Sequence, residues 1–158
     1  YVDGDNLAKR IHDKGAIEPV EARRILREVA DALAYAHERG VVHLDIKPDN
    51  ILLDAQNGRP MVTDFGIARA VSEGGDARLT ATGIAIGTPA FMSPEQSAGD
   101  RALDGRSDLY SLGIVAYECL AGKRPFTGES QVAIAMAQIN EQPPPLPPTV
   151  PKAPSMQA

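Results

Sequence analysis

The sequence predicts an α+β domain that is mainly helical and carries one small β-hairpin. Three observations lead to this prediction. Apolar residues between Pro19 and Arg39 recur at spacings of three and four, which is the period of an amphipathic helix. The stretch from Ser107 to Leu120 is apolar almost all round, as is typical of a helix in the middle of a core. Between them, two short apolar runs, 51–53 and 61–63, flank a polar loop with an Asn-Gly pair, which favours a hairpin.

The first two helices have recognisable ends. Asp5 or Asn6 can cap a short helix that closes at Gly15, since a side-chain oxygen is favoured at the start and glycine at the end. The long helix begins at Pro19, which suits a first turn because proline needs no backbone donor there. Gly40 suits its end.

The second half of the chain alternates between helices and segments without periodicity. Residues 67–94 are polar and hold no periodic apolar pattern, and so long a loop in a compact domain is functional or disordered. Residues 129–140 form a further amphipathic helix. From Pro143 to Pro154, seven of twelve residues are proline, which favours an extended segment. We therefore predict one domain over residues 1–142 and a Pro-rich connector or tail over residues 143–158.

Composition excludes several classes of function. A net charge of −5 without a basic stripe argues against nucleic-acid binding. No apolar run is long enough to span a bilayer, so we expect no membrane contact from this segment. The single cysteine, Cys119, lies in an apolar helical pattern and predicts a buried thiol in a reducing, cytoplasmic compartment. Because the chain does not begin with Met, we expect a fragment of a longer protein, which can carry a membrane anchor elsewhere.

Two short stretches carry the chemistry. His43-Leu44-Asp45-Ile46-Lys47-Pro48-Asp49-Asn50 puts a carboxylate, an amine and an amide on one turn. A carboxylate can accept a proton from a hydroxyl, an ammonium can steady a phosphoryl group, and an amide oxygen can bind a hard cation. A second carboxylate, Asp64, ends the apolar run of the predicted hairpin and precedes Phe65-Gly66. Antiparallel pairing would bring Asn50 and Asp64 to the same end of that hairpin.

These stretches resemble the catalytic loop and the Asp-Phe-Gly segment of protein kinases. Gly87-Thr88-Pro89 and Ser93-Pro94-Glu95 resemble the family's substrate-docking segment and Ala-Pro-Glu motif. In this order they resemble the C-terminal (large) lobe of a bacterial eukaryote-like Ser/Thr protein kinase. The resemblance implies a protein kinase-like α+β fold whose hairpin carries the catalytic and metal-binding segments. It also implies ATP and Mg²⁺ (or Mn²⁺) as cofactors, Ser/Thr hydroxyls of protein substrates as acceptors, and a dimer for activation-loop phosphorylation in the intact protein.

The resemblance also implies a role for each catalytic residue. Asp45 would accept the substrate hydroxyl proton or orient that hydroxyl, and Lys47 would contact the γ-phosphoryl group. Thr88 would hydrogen-bond to both of these side chains, which points to Ser or Thr as the acceptor. Asn50 and Asp64 would hold Mg²⁺ against the phosphates. Taken singly, each of these polar residues can instead be a turn or surface residue.

Further residues of the resemblance would bind the nucleotide or accept phosphate. Leu52 would lie under the adenine ring. Asp3, in the segment that resembles the hinge between the lobes, would face the ribose or be a solvated turn carboxylate. Thr80 and Thr82 are the candidate phosphorylation sites.

Four residues are expected to support the site. His43 and Phe65 would be buried packing residues that connect the catalytic loop to the metal-binding segment. Asp108 would accept backbone hydrogen bonds from the catalytic loop, or merely cap its helix. Glu95 ends the Ser-Pro-Glu motif, and the arginine that pairs with this glutamate in the family is expected beyond the present chain. Glu95 is therefore expected to be unpaired, which would be costly if it were buried.

Two other classes of function are compatible with the motifs. A pseudokinase or scaffold would keep the fold without catalysis, but the intact set Asp45, Lys47, Asn50 and Asp64 argues against it. A small-molecule phosphotransferase of related fold would lack the segment from Asp-Phe-Gly to Pro-Glu that is present here. The sequence contains no Gly-rich phosphate loop, and we expect these 158 residues alone neither to bind ATP tightly nor to transfer phosphate.

Leu44 stands where the family's motif has an arginine that pairs with a phosphate on the activation loop. A charge-assisted hydrogen bond of that kind contributes about 1.5–3 kcal/mol, and leucine cannot make it. We therefore predict that the double variant Thr80→Ala, Thr82→Ala of the full-length protein keeps most of its phosphotransfer activity. Loss of activity in a radiolabel transfer assay would contradict this prediction.

Overall fold

The computed structural model describes residues 4–65 and 88–151 of the chain. This part contains five helices and three strands. The helices are α1 (Leu7–Lys14), α2 (Pro19–His37), α3 (Pro94–Ser97), α4 (Gly105–Ala121) and α5 (Gln131–Asn140). The strands are β1 (Gly4–Asn6), β2 (Ile51–Asp54) and β3 (Pro60–Val62), and 3-10 turns lie at Pro48–Asn50 and Pro89–Phe91. No helix in this part of the chain is long and apolar enough to cross a bilayer.

The three strands form an antiparallel sheet with β2 in the middle. The hairpin β2–β3 was predicted, with Ile51 opposite Val62. Strand β1 was not predicted, because Gly4-Asp5-Asn6 shows no apolar alternation and the chain start resembled a turn. It forms by pairing with β2, where Gly4 lies opposite Asp54. A Cβ atom on Gly4 would come within 2.0 Å of the Leu53 carbonyl oxygen, so only glycine fits this approach.

Helix α1 begins and ends as the sequence indicates. Of the two candidate caps, Asn6 is the one used, and its side chain accepts a hydrogen bond of 2.8 Å from the Lys9 backbone. Asp5 instead pairs with the Lys9 ammonium. Gly15 ends the helix in the positive-φ conformation that glycine adopts without strain.

Helices α2 and α4 pack against each other and form the centre of the core. The residues of α2 that face inward repeat at three and four, as predicted, and are Ala22, Ile25, Val29 and Leu33. On α4 they include Leu112, Ile114, Val115 and Cys119. The N-cap of α4 is Asp104, whose carboxylate accepts a hydrogen bond from the Arg106 backbone. Asp108 is therefore not the cap, and it lies fully buried inside the helix.

One face of α4 is more exposed than we expected from its almost entirely apolar sequence. Leu109 is 54% exposed, and it lines an apolar groove of about 690 Å³ between α2 and α4. The Pro-rich segment after α5 runs along this groove through Leu146, Val150 and Pro151. The described part of that segment contains no helix or strand, in keeping with its proline content.

Truncation of a core residue of α2 should destabilise the domain. Leu33 is fully buried, and we predict that Leu33→Ala lowers the free energy of unfolding by about 2–5 kcal/mol, because transfer energy is lost and a cavity remains. Val20 is 84% exposed on the same helix, so Val20→Ala should change this free energy by less than about 0.5 kcal/mol. Denaturant unfolding of the full-length protein measures both variants, and equal effects would contradict this core assignment.

Burial should also make the thiol of Cys119 unreactive. It raises the pKa of the Cys119 thiol to about 12, and the neighbouring charge of Glu118 adds to this effect. Because only the thiolate is nucleophilic, we predict no alkylation of Cys119 by iodoacetamide at about pH 8 in the native protein and rapid alkylation in denaturant. Peptide mass spectrometry measures the difference. Rapid alkylation of the native protein would contradict the burial of Cys119, because it would show that the reagent reaches this part of the core.

Candidate active site

The predicted catalytic loop lies between α2 and β2 and gathers three of its polar side chains. The carboxylate of Asp45 lies 3.5 Å from the ammonium of Lys47, and the two side chains are 24% and 20% exposed. The amide nitrogen of Asn50 donates to the backbone oxygen of Asp45 at 2.8 Å and to its carboxylate at 3.2 Å. The Asp45 carboxylate is thus oriented by two neighbours while part of it remains accessible to a substrate.

Thr88 comes from a distant part of the chain and meets this group through Lys47. The Lys47 ammonium donates to the Thr88 hydroxyl at 3.1 Å. The expected second bond, between Thr88 and Asp45, is not formed. Lys47 is therefore the residue that joins the Asp45 carboxylate to the segment that begins at Thr88 and continues into the 3-10 turn Pro89–Phe91.

The hairpin brings Asn50 and Asp64 to the same end of the sheet. The backbone N–H of Thr63 donates to the backbone oxygen of Asn50 at 2.9 Å, and Asp64 follows directly. Asp64 is exposed and has φ of +64°, a left-handed conformation that is costly for a non-glycine residue. Such strain is found where the surrounding structure dictates the direction of a side chain.

Asn50 and Asp64 carry side-chain oxygens of the kind that Mg²⁺ prefers as ligands. Both donor contacts of the Asn50 amide are made by its nitrogen, which leaves its side-chain oxygen without a protein donor among the described residues. In the same part of the chain, no three His, Cys, Asp or Glu side chains form a metal-binding cluster. Mg²⁺ does not require one, since it is typically held by one or two protein oxygens together with phosphates and water.

His43 connects the catalytic loop to β3 and is fully buried. Its Nδ1 atom accepts a hydrogen bond from the Asp45 backbone at 3.1 Å. Its Nε2 atom lies 2.6 Å from the carbonyl oxygen of Thr63, which can only accept, so the proton resides on Nε2 and the ring is neutral. The edge of one ring meets the face of the other between His43 and Phe65, with 4.7 Å between centroids. This packing leaves the histidine no free atom for proton transfer.

Asp108, in the core helix α4, holds the catalytic loop in place. Its carboxylate accepts hydrogen bonds from the backbone N–H groups of His43 at 2.8 Å and Leu44 at 2.7 Å. It also lies 2.7 Å from Nε2 of His37, at the end of α2. His37 was missed in the sequence, although it continues the inward-facing row of α2 four residues after Leu33. Three donors thus satisfy a carboxylate that has no contact with water.

Leu44 adopts a strained backbone conformation, and hydrogen bonds hold both its N–H and its carbonyl group. Its φ is +65°, which is rare for a residue with a bulky side chain. Its N–H is bound by Asp108, and its carbonyl oxygen accepts a hydrogen bond of 3.0 Å from the side chain of Gln96 on α3. Gln96 was also missed, because nothing in the local sequence indicates that an amide on α3 reaches the catalytic loop.

Glu95 differs from the expectation of an unpaired buried charge. It is only partly buried, and the Ser107 hydroxyl donates to its carboxylate at 2.6 Å. Burial acts to raise the pKa of the Glu95 carboxyl, but hydrogen bonds from Ser107, its own backbone and Ser93 lower that pKa below its ordinary value. A neutral serine thus donates a hydrogen bond to Glu95, so this carboxylate is not unpaired as expected.

The remaining predicted residues lie on the sheet or outside the described part. Leu52 lies in β2, opposite Met61 of β3. Its side chain is on the face of the sheet opposite to that of Ile51, which is in the core, and of Leu53, which packs against the core. The structure does not describe Asp3, Thr80 and Thr82, so their predicted roles lie outside the described residues.

The chain is similar in sequence to known protein kinases. A family model described as "Protein kinase domain" matches residues 1–155. The serine/threonine-protein kinase PknB of Mycobacterium tuberculosis (strain H37Rv) is 44% identical over 143 residues, which cover 90% of this chain and 22% of that protein. The serine/threonine-protein kinase drp72 of Corynebacterium efficiens is 45% identical over 150 residues, or 95% of this chain and 28% of that protein. PknA of Corynebacterium glutamicum is 42% identical over 150 residues, again 95% of this chain and 31% of the relative.

The chain therefore spans less than a third of the length of each of these relatives. The family model nevertheless covers nearly all of it, and the relatives named above are Ser/Thr protein kinases. On this evidence the chain belongs to the protein kinase family.

Proposed function

We propose that the full-length protein transfers the γ-phosphoryl group of ATP to Ser and Thr hydroxyls of protein substrates and requires Mg²⁺. The observation that carries this proposal is the position of Lys47, whose ammonium contacts both the Asp45 carboxylate and the Thr88 hydroxyl. A carboxylate, a cation and the segment that would bind the acceptor thereby share one site. The names of the relatives support the same class of reaction.

The chemistry assigned to Asp45 is that of a general base. As the acceptor oxygen forms its bond to the γ-phosphorus and the bond to the β–γ bridging oxygen breaks, the hydroxyl proton passes to the Asp45 carboxylate and ADP leaves. The Asn50 amide holds that carboxylate in place. Lys47 is close enough to Asp45 to offset negative charge that builds up on the phosphoryl oxygens.

Asn50 and Asp64 are the residues that would hold the metal. When bound, Mg²⁺ supplies neutralisation of the phosphate charge and fixes the direction of the phosphoryl group. The protein's part is to present two oxygen-bearing side chains at one end of the hairpin, where the β2–β3 ladder fixes their spacing.

We assign this segment to the large lobe of the kinase domain, with a nucleotide surface that includes the outer face of the sheet. The described elements are mainly helical, and the sequence contains no Gly-rich phosphate loop. Leu52 and Met61 lie opposite each other on neighbouring strands and offer an apolar surface against which a purine ring can stack. A scaffold without catalysis would not need Asp45, Lys47 and Asn50 in mutual contact.

The proposal predicts Mg²⁺-dependent transfer of phosphate from ATP to a generic Ser/Thr substrate by the full-length protein. Asp45→Asn cannot accept a proton, so kcat should fall by about 10²–10⁴-fold. Asp64→Ala should cause a loss of similar size and raise the Mg²⁺ concentration needed for half-maximal activity. Radiolabel transfer at varied Mg²⁺ measures both effects.

Asp31→Asn is the matched control, since this carboxylate is exposed on α2 and forms no hydrogen bond or ion pair with the described residues of the catalytic loop. It should leave kcat unchanged within about twofold. A folded wild type that transfers no phosphate, or an Asp45→Asn variant as active as the control, would contradict the proposed function.

A further inference from the structure

The side chain of Gln96 is buried between the Ser93-Pro94-Glu95 segment and the catalytic loop. It is 8% exposed, on the short helix α3 that follows the Ser-Pro-Glu motif. Its amide nitrogen donates to the Leu44 carbonyl oxygen at 3.0 Å, and its amide oxygen accepts from the Ser93 backbone N–H at 3.1 Å. Because a carbonyl only accepts and an N–H only donates, these two contacts fix which end of the amide faces the loop.

The bond to Leu44 acts on the peptide unit that leads directly into Asp45. The carbonyl of this unit is held by Gln96, and its N–H, which belongs to Asp45, donates to His43. Leu44 itself is in the left-handed region, where a bulky residue does not stay unless its surroundings hold it. Without the Gln96 donor, the carbonyl loses its partner in this partly buried site, and rotation of the peptide unit would redirect the Asp45 carboxylate.

We propose that Gln96 is a positioning residue for phosphoryl transfer, which sets the orientation of the Leu44–Asp45 peptide and couples the position of the Ser93-Pro94-Glu95 segment to the Asp45 carboxylate. This inference rests on the proposed function. The coupling needs no charge on the side chain of residue 44, because the contact is made to its backbone. It therefore operates with the leucine that this chain carries.

Two variants separate this role from the capping role of the same side chain. Gln96→Glu keeps an oxygen that accepts from Ser93, and glutamate is favoured at this position of a capping box, but it removes the donor to Leu44. Ser93→Ala does the reverse, since it removes the hydroxyl of the cap and keeps the amide donor. Gln131→Glu, at an exposed position of α5, is the matched control for the added charge.

The test uses the full-length protein, with kcat and KM measured for ATP and for a peptide acceptor and with thermal unfolding followed in parallel. We expect Gln96→Glu to lower kcat by about 10–100-fold, with KM for ATP unchanged within about twofold. Ser93→Ala and Gln131→Glu should retain kcat within about twofold. Should Gln96→Glu not fold, Gln96→Met also removes the donor to Leu44. The loss of kcat in Gln96→Met is then compared with that in Ser93→Ala, which disturbs the helix cap but keeps this donor.

A double variant shows whether the effect passes through Asp45. In the Asp45→Asn background, the loss caused by Gln96→Glu should shrink to less than about threefold, because two residues that act as a unit are not additive. An unchanged loss in that background, or a Gln96→Glu variant with wild-type kcat, overturns the inference while the proposed function stands. No transfer by the folded wild type overturns both.

Discussion

The buried carboxylate of Asp108 is the interaction on which the rest of the site depends. It lies inside α4 without contact to water and is satisfied by two backbone N–H groups of the catalytic loop and by His37 of α2. Burial of a charge is tolerated only when such donors are in place, so the helix, the loop and the end of α2 must adopt their positions together. The core helix α4 thereby serves as the base on which Asp45 is held.

From this anchor, hydrogen bonds extend to both sides of the candidate active site. On one side, His43 bridges from the Asp45 backbone to Thr63 and so connects the loop to the strand that precedes Asp64. On the other, Gln96 reaches the Leu44 carbonyl from α3. The two strained residues of this region, Leu44 and Asp64, lie within this network, each at a cost of about 1–3 kcal/mol that the surrounding bonds must offset. Strain concentrated beside the candidate catalytic groups indicates that their direction, not only their presence, is specified.

Local sequence was sufficient wherever neighbours along the chain decide the structure. The period of α2, the end of α1 at Gly15 and the β2–β3 hairpin follow from interactions between residues a few positions apart, whereas α2 ends at His37, before the expected Gly40. The proximity of the candidate site residues also followed from the sequence, because Asp45, Lys47 and Asn50 lie on one turn and contact one another within it. Their order with the later motifs was enough to indicate the kinase family, which the family comparison confirmed.

Tertiary structure alone decided which distant groups support that site. His37 and Asp108 are 71 residues apart, Leu44 and Gln96 are 52 apart, and β1 exists only because β2 is available to pair with it. Glu95 was expected to be unpaired, yet packing places the Ser107 hydroxyl against it. A hydrogen bond between such residues forms because burial removes water and leaves each polar group only the partners that the fold provides. The sequence thus determines which functional groups lie near one another along the chain, and the packing of the helices determines how those groups are oriented.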